Sequence, residues 1–190
     1  MRKYISTKDT AKLVRTSLKE AFPDLKFSVR MSSESLRVEW IDGANEAQVK
    51  AVIGRFSGAY FDGMTDYEGS KYHMMDGQAV SFGAKYISCR REFSDVAIER
   101  AINQIYRQYQ ANFIALGLDK PRLEQFKSGE LMRVHLMENC GDDLQRFIRE
   151  ALVKNTDRIG KIRSATAAKV FQIGTDGHGA SAFDAIKATL

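Results

Sequence analysis

The chain has 190 residues, 44% hydrophobic and 28% charged, with 29 Lys plus Arg against 24 Asp plus Glu for a net charge of +5. This length suits one domain or two small ones and buries a core without disulfide or metal staples. The apolar and charged fractions exclude wholesale disorder, two prolines exclude collagen-like classes, and the positive sign excludes an acidic mimic of duplex DNA.

Ser6 is placed to cap a first helix from Thr7 to Phe22, with Asp9 as a weak capping-box partner. Its apolar stripe is Thr10, Val14, Leu18, Ala21 and Phe22, and Pro23-Asp24 ends it. Lys26 to Met31 and Leu36 to Trp40 alternate apolar and polar residues around a Ser32–Ser35 turn, which predicts a hairpin with one buried face. Asp42-Gly43 breaks the strand. Asn45 then caps a short helix carrying Val49, Val52, Ile53 and Phe56, closed by Gly58. From Ala59 to Gln78 no period is visible, so an irregular connection is expected, dense in Tyr, Phe and Met. A third strand is expected over Ala79 to Ser88, after the Asp76-Gly77 turn.

Ser94 caps a longer helix with a buried stripe of Val96 (or Ala97), Ala101, Ile105, Tyr109 and Phe113, ended by Gly117. A short helix from Arg122 to Lys127 stops at Gly129, and Leu131 to Met137 favours strand slightly. Asp142 caps a helix whose Leu144, Phe147, Ile148, Ala151 and Leu152 share a face. Lys169 to Ile173 reads as a strand, Gly174 to Gly179 as a turn-rich loop, and a terminal helix starts at Ser181. The class is α+β: an N-terminal helix–hairpin–helix–strand unit over 1–93, a connecting helix over 94–117, and a smaller α+β C-terminal half over 118–190.

No run approaches the roughly 18 apolar residues of a membrane span, and Met1 to Ile5 lacks the apolar core of a signal peptide. With Cys89 and Cys140 forming no disulfide framework, both are expected free and partly buried, in a reducing cytoplasm. His135 and Cys140 give H-x4-C with no second ligand pair, so no metal is expected. The loop from Asp62 to Glu68 fails as a calcium loop because Met64 and Tyr67 occupy the oxygen-ligand and glycine places. Gly174, Gly177 and Gly179 are in the wrong order for a dinucleotide loop, and no nucleophile elbow is present. The expectation is a protein that is not an enzyme and holds no cofactor.

Two surfaces stand out. Tyr60, Phe61, Asp62, Met64, Asp66, Tyr67, Glu68 and Tyr72 interleave aromatic and Met side chains with acids. They read either as a partner-binding surface, because such side chains bury large area at little entropic cost, or as the cover of a core edge. Lys154, Arg158, Lys161, Arg163 and Lys169 oppose the single acid Asp157, five minus one giving a local +4. They read either as a nucleic-acid-binding cluster or as a solvated helix end. Arg90-Arg91 is a lesser basic candidate.

Several blocks, in order, carry a family resemblance. Tyr4 to Ala11 followed by Leu18 to Pro23, Lys26 to Arg30, Trp40 to Gly43, Phe61 to Tyr67, Phe82 to Ile87 and Arg91 to Asp95 resemble the large polyvalent protein-associated domain, type 29, over residues 4–95. The resemblance implies a setting in phages, plasmids and conjugative elements, where such domains help an incoming element survive host defences. It brings no catalytic residues. What it implies for a short chain is a counter-defence protein, such as an anti-CRISPR inhibitor, that binds a host defence protein or ribonucleoprotein complex stoichiometrically in the bacterial cytoplasm. The alternative is a nucleic-acid-binding accessory protein acting during establishment of the element. The sequence leaves the target and the oligomeric state open.

Overall fold

The first helix begins as its cap residue dictates. In the computed structural model, which describes residues 2–137, 141–155 and 163–176, the Asp9 amide donates to Ser6 Oγ at 3.1 Å and Ser6 Oγ donates to the Asp9 carboxylate at 2.7 Å. Strand β1 (Lys3–Ile5) precedes this cap, and helix α1 (Thr7–Ala21) follows it. One face of α1 buries Thr10, Ala11, Val14, Leu18 and Ala21, as the three-and-four spacing requires.

The chain then forms β2 (Ser28–Met31) and β3 (Ser35–Ile41), the expected hairpin, with Leu36, Val38 and Trp40 buried. Phe27 joins Phe22 and Trp40, its ring 5.7 Å from the first and 5.6 Å from the second. Helix α2 (Glu46–Ile53) runs into a 3-10 turn (Gly54–Phe56) that buries Phe56. Next come β4 (Ala59–Asp62) and β5 (Tyr67–Met75), so the stretch expected to be irregular is a hairpin. The expected third strand is two, β6 (Gln78–Phe82) and β7 (Tyr86–Glu92). The division has a reason: β6 belongs to a five-stranded sheet and β7 to a three-stranded one, so the chain must change sheets at Gly83–Lys85.

The chain divides into two compact units, one holding 1–40, 46–91 and 159–190, the other 41–45 and 92–158. The second is helical. The long helix expected over 94–117 is divided at Tyr109 into α3 (Asp95–Gln108) and α4 (Gln110–Ala115), with Gly117 in the left-handed region beyond. Helix α5 (Leu123–Ser128) ends at Gly129, φ 81°, as expected. The strand favoured for Leu131 to Met137 is absent. A 3-10 turn (Glu130–Arg133) stands there, and Leu131 and Leu136 plug a helical core that offers no strand to pair with. Helix α6 (Leu144–Lys154) is capped by Asp143, one residue later than expected, and contributes Leu144, Ile148, Ala151 and Leu152 to that core with Ile98, Ile102, Ile105 and Phe113.

Helix α7 (Ala165–Ala168) and strand β8 (Val170–Thr175) return to the first unit. There Glu20 on α1 accepts hydrogen bonds from Ser164 Oγ (2.7 Å), the Thr166 amide (2.9 Å) and Thr166 Oγ1 (2.8 Å). Those donors, the Ser164 hydroxyl first, hold its carboxyl below the usual range. Arg55 clamps the far end, donating to the Ala167 and Val170 carbonyls at 2.9 and 3.4 Å. The five-stranded sheet runs β1-β6-β5-β4, with β8 also on β5 and β1 parallel to β6. The three-stranded sheet runs β2-β3-β7. Of the loop expected from Gly174 to Gly179, Gly174 and Thr175 instead extend β8 along β5, and 177–179, with the terminal helix from Ser181, lie outside the described residues.

Candidate functional site

The aromatic–acidic segment is built on the β4–β5 hairpin. Tyr60 pairs with Gly69, Phe61 with Glu68 and Asp62 with Tyr67, so Tyr60, Asp62 and Tyr67 share one face and Phe61 and Glu68 the other. Residues 63–66 form the turn. Asp62 holds it: its carboxylate accepts the Met64 amide and the Thr65 hydroxyl, each at 2.9 Å. These donors, Met64 first, keep the Asp62 carboxyl below the usual range. Asp66, φ 51°, takes the left-handed position that closes the turn.

The candidates separate into two groups. The Tyr60 ring lies over Gly69, where an added Cβ would stand 2.4 Å from its Cε1. It meets Tyr67 edge-on at 6.5 Å, and its hydroxyl donates to the Asp176 carbonyl at 3.2 Å. Asp176 also accepts the Ser70 amide through its carboxylate. The negative charge of Asp176 raises the Tyr67 hydroxyl above its usual range. Tyr72 is half-buried, with the Arg2 guanidinium 4.2 Å from its ring centre. Glu68 is bound to Lys85 at 3.0 Å, and Lys85 also reaches Glu34 at 2.9 Å, so the two carboxylates hold that ammonium well above the usual lysine range. Tyr60, Asp62, Tyr67, Glu68 and Tyr72 therefore brace the hairpin. Phe61 (58% exposed), Met64 (95%) and the exposed Asp66 are what it presents.

The basic candidates do not gather in the same way. Lys154, in the last turn of α6, is paired with Glu150 at 3.2 Å, where its charge also complements the helix C-terminus. Lys169 lies 3.7 Å from Asp76, and Arg163 is exposed. Arg158 and Lys161 lie outside the described residues. Cys89 is half-buried, and burial pushes its thiol up to about 11, which keeps it protonated and unreactive. Cys140 lies outside the described residues, and His135 is exposed with Nδ1 3.4 Å from the Asp142 carbonyl. Among the described residues no three His, Cys, Asp or Glu side chains gather as metal ligands would, and no helix is long and apolar enough to cross a membrane.

Sequence reasoning missed Asp176, Arg2 and Lys85, which brace the hairpin. Asp176 lies 106 residues from Ser70, so no local pattern could reveal it. It also missed His73, 1% exposed on β5, with its ring 5.1 Å from Phe82 and neither ring nitrogen hydrogen-bonded. A histidine in an aromatic-rich run carries no signal of burial.

Residues 5–94 match the family described as large polyvalent protein associated domain 29, which bears out the resemblance read from the ordered blocks. The match takes in just under half of the 190 residues, including the whole β4–β5 hairpin. The domain marks a protein associated with phages and other mobile elements. No curated protein and no solved structure matches the chain.

Proposed function

We propose that the protein is a counter-defence factor of a mobile element, an anti-CRISPR-like inhibitor that binds a host defence protein or ribonucleoprotein complex stoichiometrically, in the host cytoplasm and without catalytic turnover. One observation carries the reading: Met64 and Phe61 stand 95% and 58% exposed at the end of a hairpin braced on both faces. Two large apolar side chains exposed together at a braced tip support the reading of a docking surface. The exposed Asp66 beside them suits a basic partner surface and would mainly speed association. Two of the three described cations of the 154–169 cluster are paired with acids, so the nucleic-acid alternative gains no support from that cluster.

The test is a bacterial strain with active CRISPR interference, challenged with a targeted phage and expressing the wild type or the Phe61→Ala/Met64→Ala double variant. The expected result is restored plating with the wild type, lost in the double variant at unchanged thermal midpoint and expression. Protection should track the ratio of protein to effector near one to one. No restoration by the wild type overturns the counter-defence reading for that effector. Full restoration by the double variant overturns the hairpin as the contact.

A further inference from the structure

A second feature of the first unit is unaccounted for by partner binding through the β4–β5 hairpin, and it lies on β2 and β3. Arg30 and Arg37 are directly opposite across the antiparallel pair, and both are exposed. Like charges in that arrangement oppose the pairing of the strands. Nothing in the fold compensates fully. The Arg30 guanidinium is 3.7 Å from Glu39, beyond hydrogen-bond reach, and remains 75% exposed, and Arg37 makes no hydrogen bond or ion pair with the described residues.

The same two arginines line a depression of about 200 Å³ at the β2–β3 turn, with Met31, Leu36, Ser32, Ser35 and Ser88. No acid is among its lining residues. We infer that this depression is a binding site for a phosphate group, held between Arg30 and Arg37 with the Ser32 and Ser35 hydroxyls supplying further donors. The donor count selects the ligand class. One guanidinium satisfies a carboxylate in bidentate fashion, whereas two guanidinium forks and the Ser32 and Ser35 hydroxyls suit the several oxygens of a tetrahedral oxyanion, the Ser88 hydroxyl being engaged by the Leu36 carbonyl at 3.4 Å. The volume admits a phosphate with a modest substituent and little more. A ligand with negative charge also removes the repulsion between the paired arginines, so binding and strand pairing reinforce each other.

Two sources share this chemistry, free phosphate or a phosphomonoester on one side and the phosphodiesters of a nucleic-acid strand on the other. The experiment titrates the full chain with inorganic phosphate, read by heat and by thermal midpoint, and separately with a labelled single-stranded 12-nucleotide DNA, read by anisotropy at low salt. Phosphate is expected to raise the wild-type midpoint. Arg37→Gln is expected to abolish that rise and weaken binding about tenfold or more, as loss of a charged bidentate contact does. Without phosphate, the same variant should have an equal or higher midpoint because the repulsion is gone. Oligonucleotide binding about 100-fold tighter than phosphate, with the same loss in Arg37→Gln and a steep salt dependence, assigns the source to a strand. Oligonucleotide binding no tighter than phosphate assigns it to the small anion. Should Arg37→Gln fail to fold, Arg30→Gln decides by the same readouts. No heat and no midpoint shift with either probe overturns the site, as does wild-type affinity in both glutamine variants.

Discussion

In the β2–β3 hairpin, Leu36, Val38 and Trp40 are buried at every second position, and the residues between them are Arg37 and Glu39. In the β4–β5 hairpin, Ala59, Tyr60 and Phe61 succeed one another, so large apolar groups lie on both faces: Tyr60 packs over Gly69 and Phe61 projects outward beside Glu68. The first hairpin gains its stability by burying one face, while its wet face carries charge that the fold does not neutralise. The second is held by a ring-over-glycine contact, an aspartate turn and long-range bonds to Asp176, and its wet face carries apolar groups that the fold does not cover. The first hairpin leaves charge uncompensated and the second leaves apolar surface uncovered. What a folded chain leaves unsatisfied on a rigid element is a better guide to its partners than what it satisfies.

Five substitutions test this division. The largest effect falls on the dry face of β3. Trp40, 3% exposed, packs on Phe27, and Trp40→Ala should cost about 3–5 kcal/mol in urea unfolding, enough to threaten folding. Next is an acid response specific to β5. Burial, reinforced by the charges of Lys71 and Arg2, lowers His73 from 6.5 to about 4. Between those values the unfolded chain binds the proton and the folded chain does not, so stability should fall as pH drops from about 6.5 toward about 4 and level off below. At pH 5 the loss should be about 2 kcal/mol. His73→Phe should flatten that part of the profile, and an unchanged profile would place the acid sensitivity elsewhere. Among the described residues of β2 and β3 no titratable side chain is fully buried.

Gly69→Ala should cost about 1–3 kcal/mol, because the new methyl needs the place of the Tyr60 ring. Combining it with Tyr60→Ala should cost less than the sum of the two single losses, since they share one contact. The smallest effect on stability belongs to Phe61→Ala, expected within about 0.5 kcal/mol. The same variant should weaken partner binding by about 2 kcal/mol or more if the hairpin tip is the contact. A midpoint drop of several degrees in Phe61→Ala would instead make that side chain part of the core and erase the contrast between the hairpins.

The same contrast explains what the sequence allowed one to read. Alternation in Leu36–Trp40 announces a strand because its two faces meet different solvents. The run Ala59-Tyr60-Phe61 hides its strand because both faces are apolar, and the turn residues Asp62 to Asp66 resemble any loop. The caps at Ser6 and Ser94 were legible because capping is local. The division of Ala79–Ser88 into two strands was not, since it follows from which sheet each half joins. For the site, the residue types of the aromatic–acidic segment were legible. Which of them brace and which project depends on register and on Arg2, Lys85 and Asp176, all distant in sequence. The cross-strand placement of Arg30 and Arg37 follows from the hairpin itself and could have been drawn from its turn length.

The return of β8 to β5 has a consequence for synthesis. β5 ends at Met75 and β8 begins at Val170, so a ribosome adding ~5–20 residues per second exposes the open edge of β5 for roughly 5–19 s before its partner exists. During that interval Lys71–Met75 offers unpaired amides and carbonyls to any neighbouring nascent chain. The family-matched segment 5–94 ends before this partner and begins at the last residue of β1, so it lacks β8 and nearly all of β1. The matched segment thus stops short of two strands that are hydrogen-bonded into its own sheet.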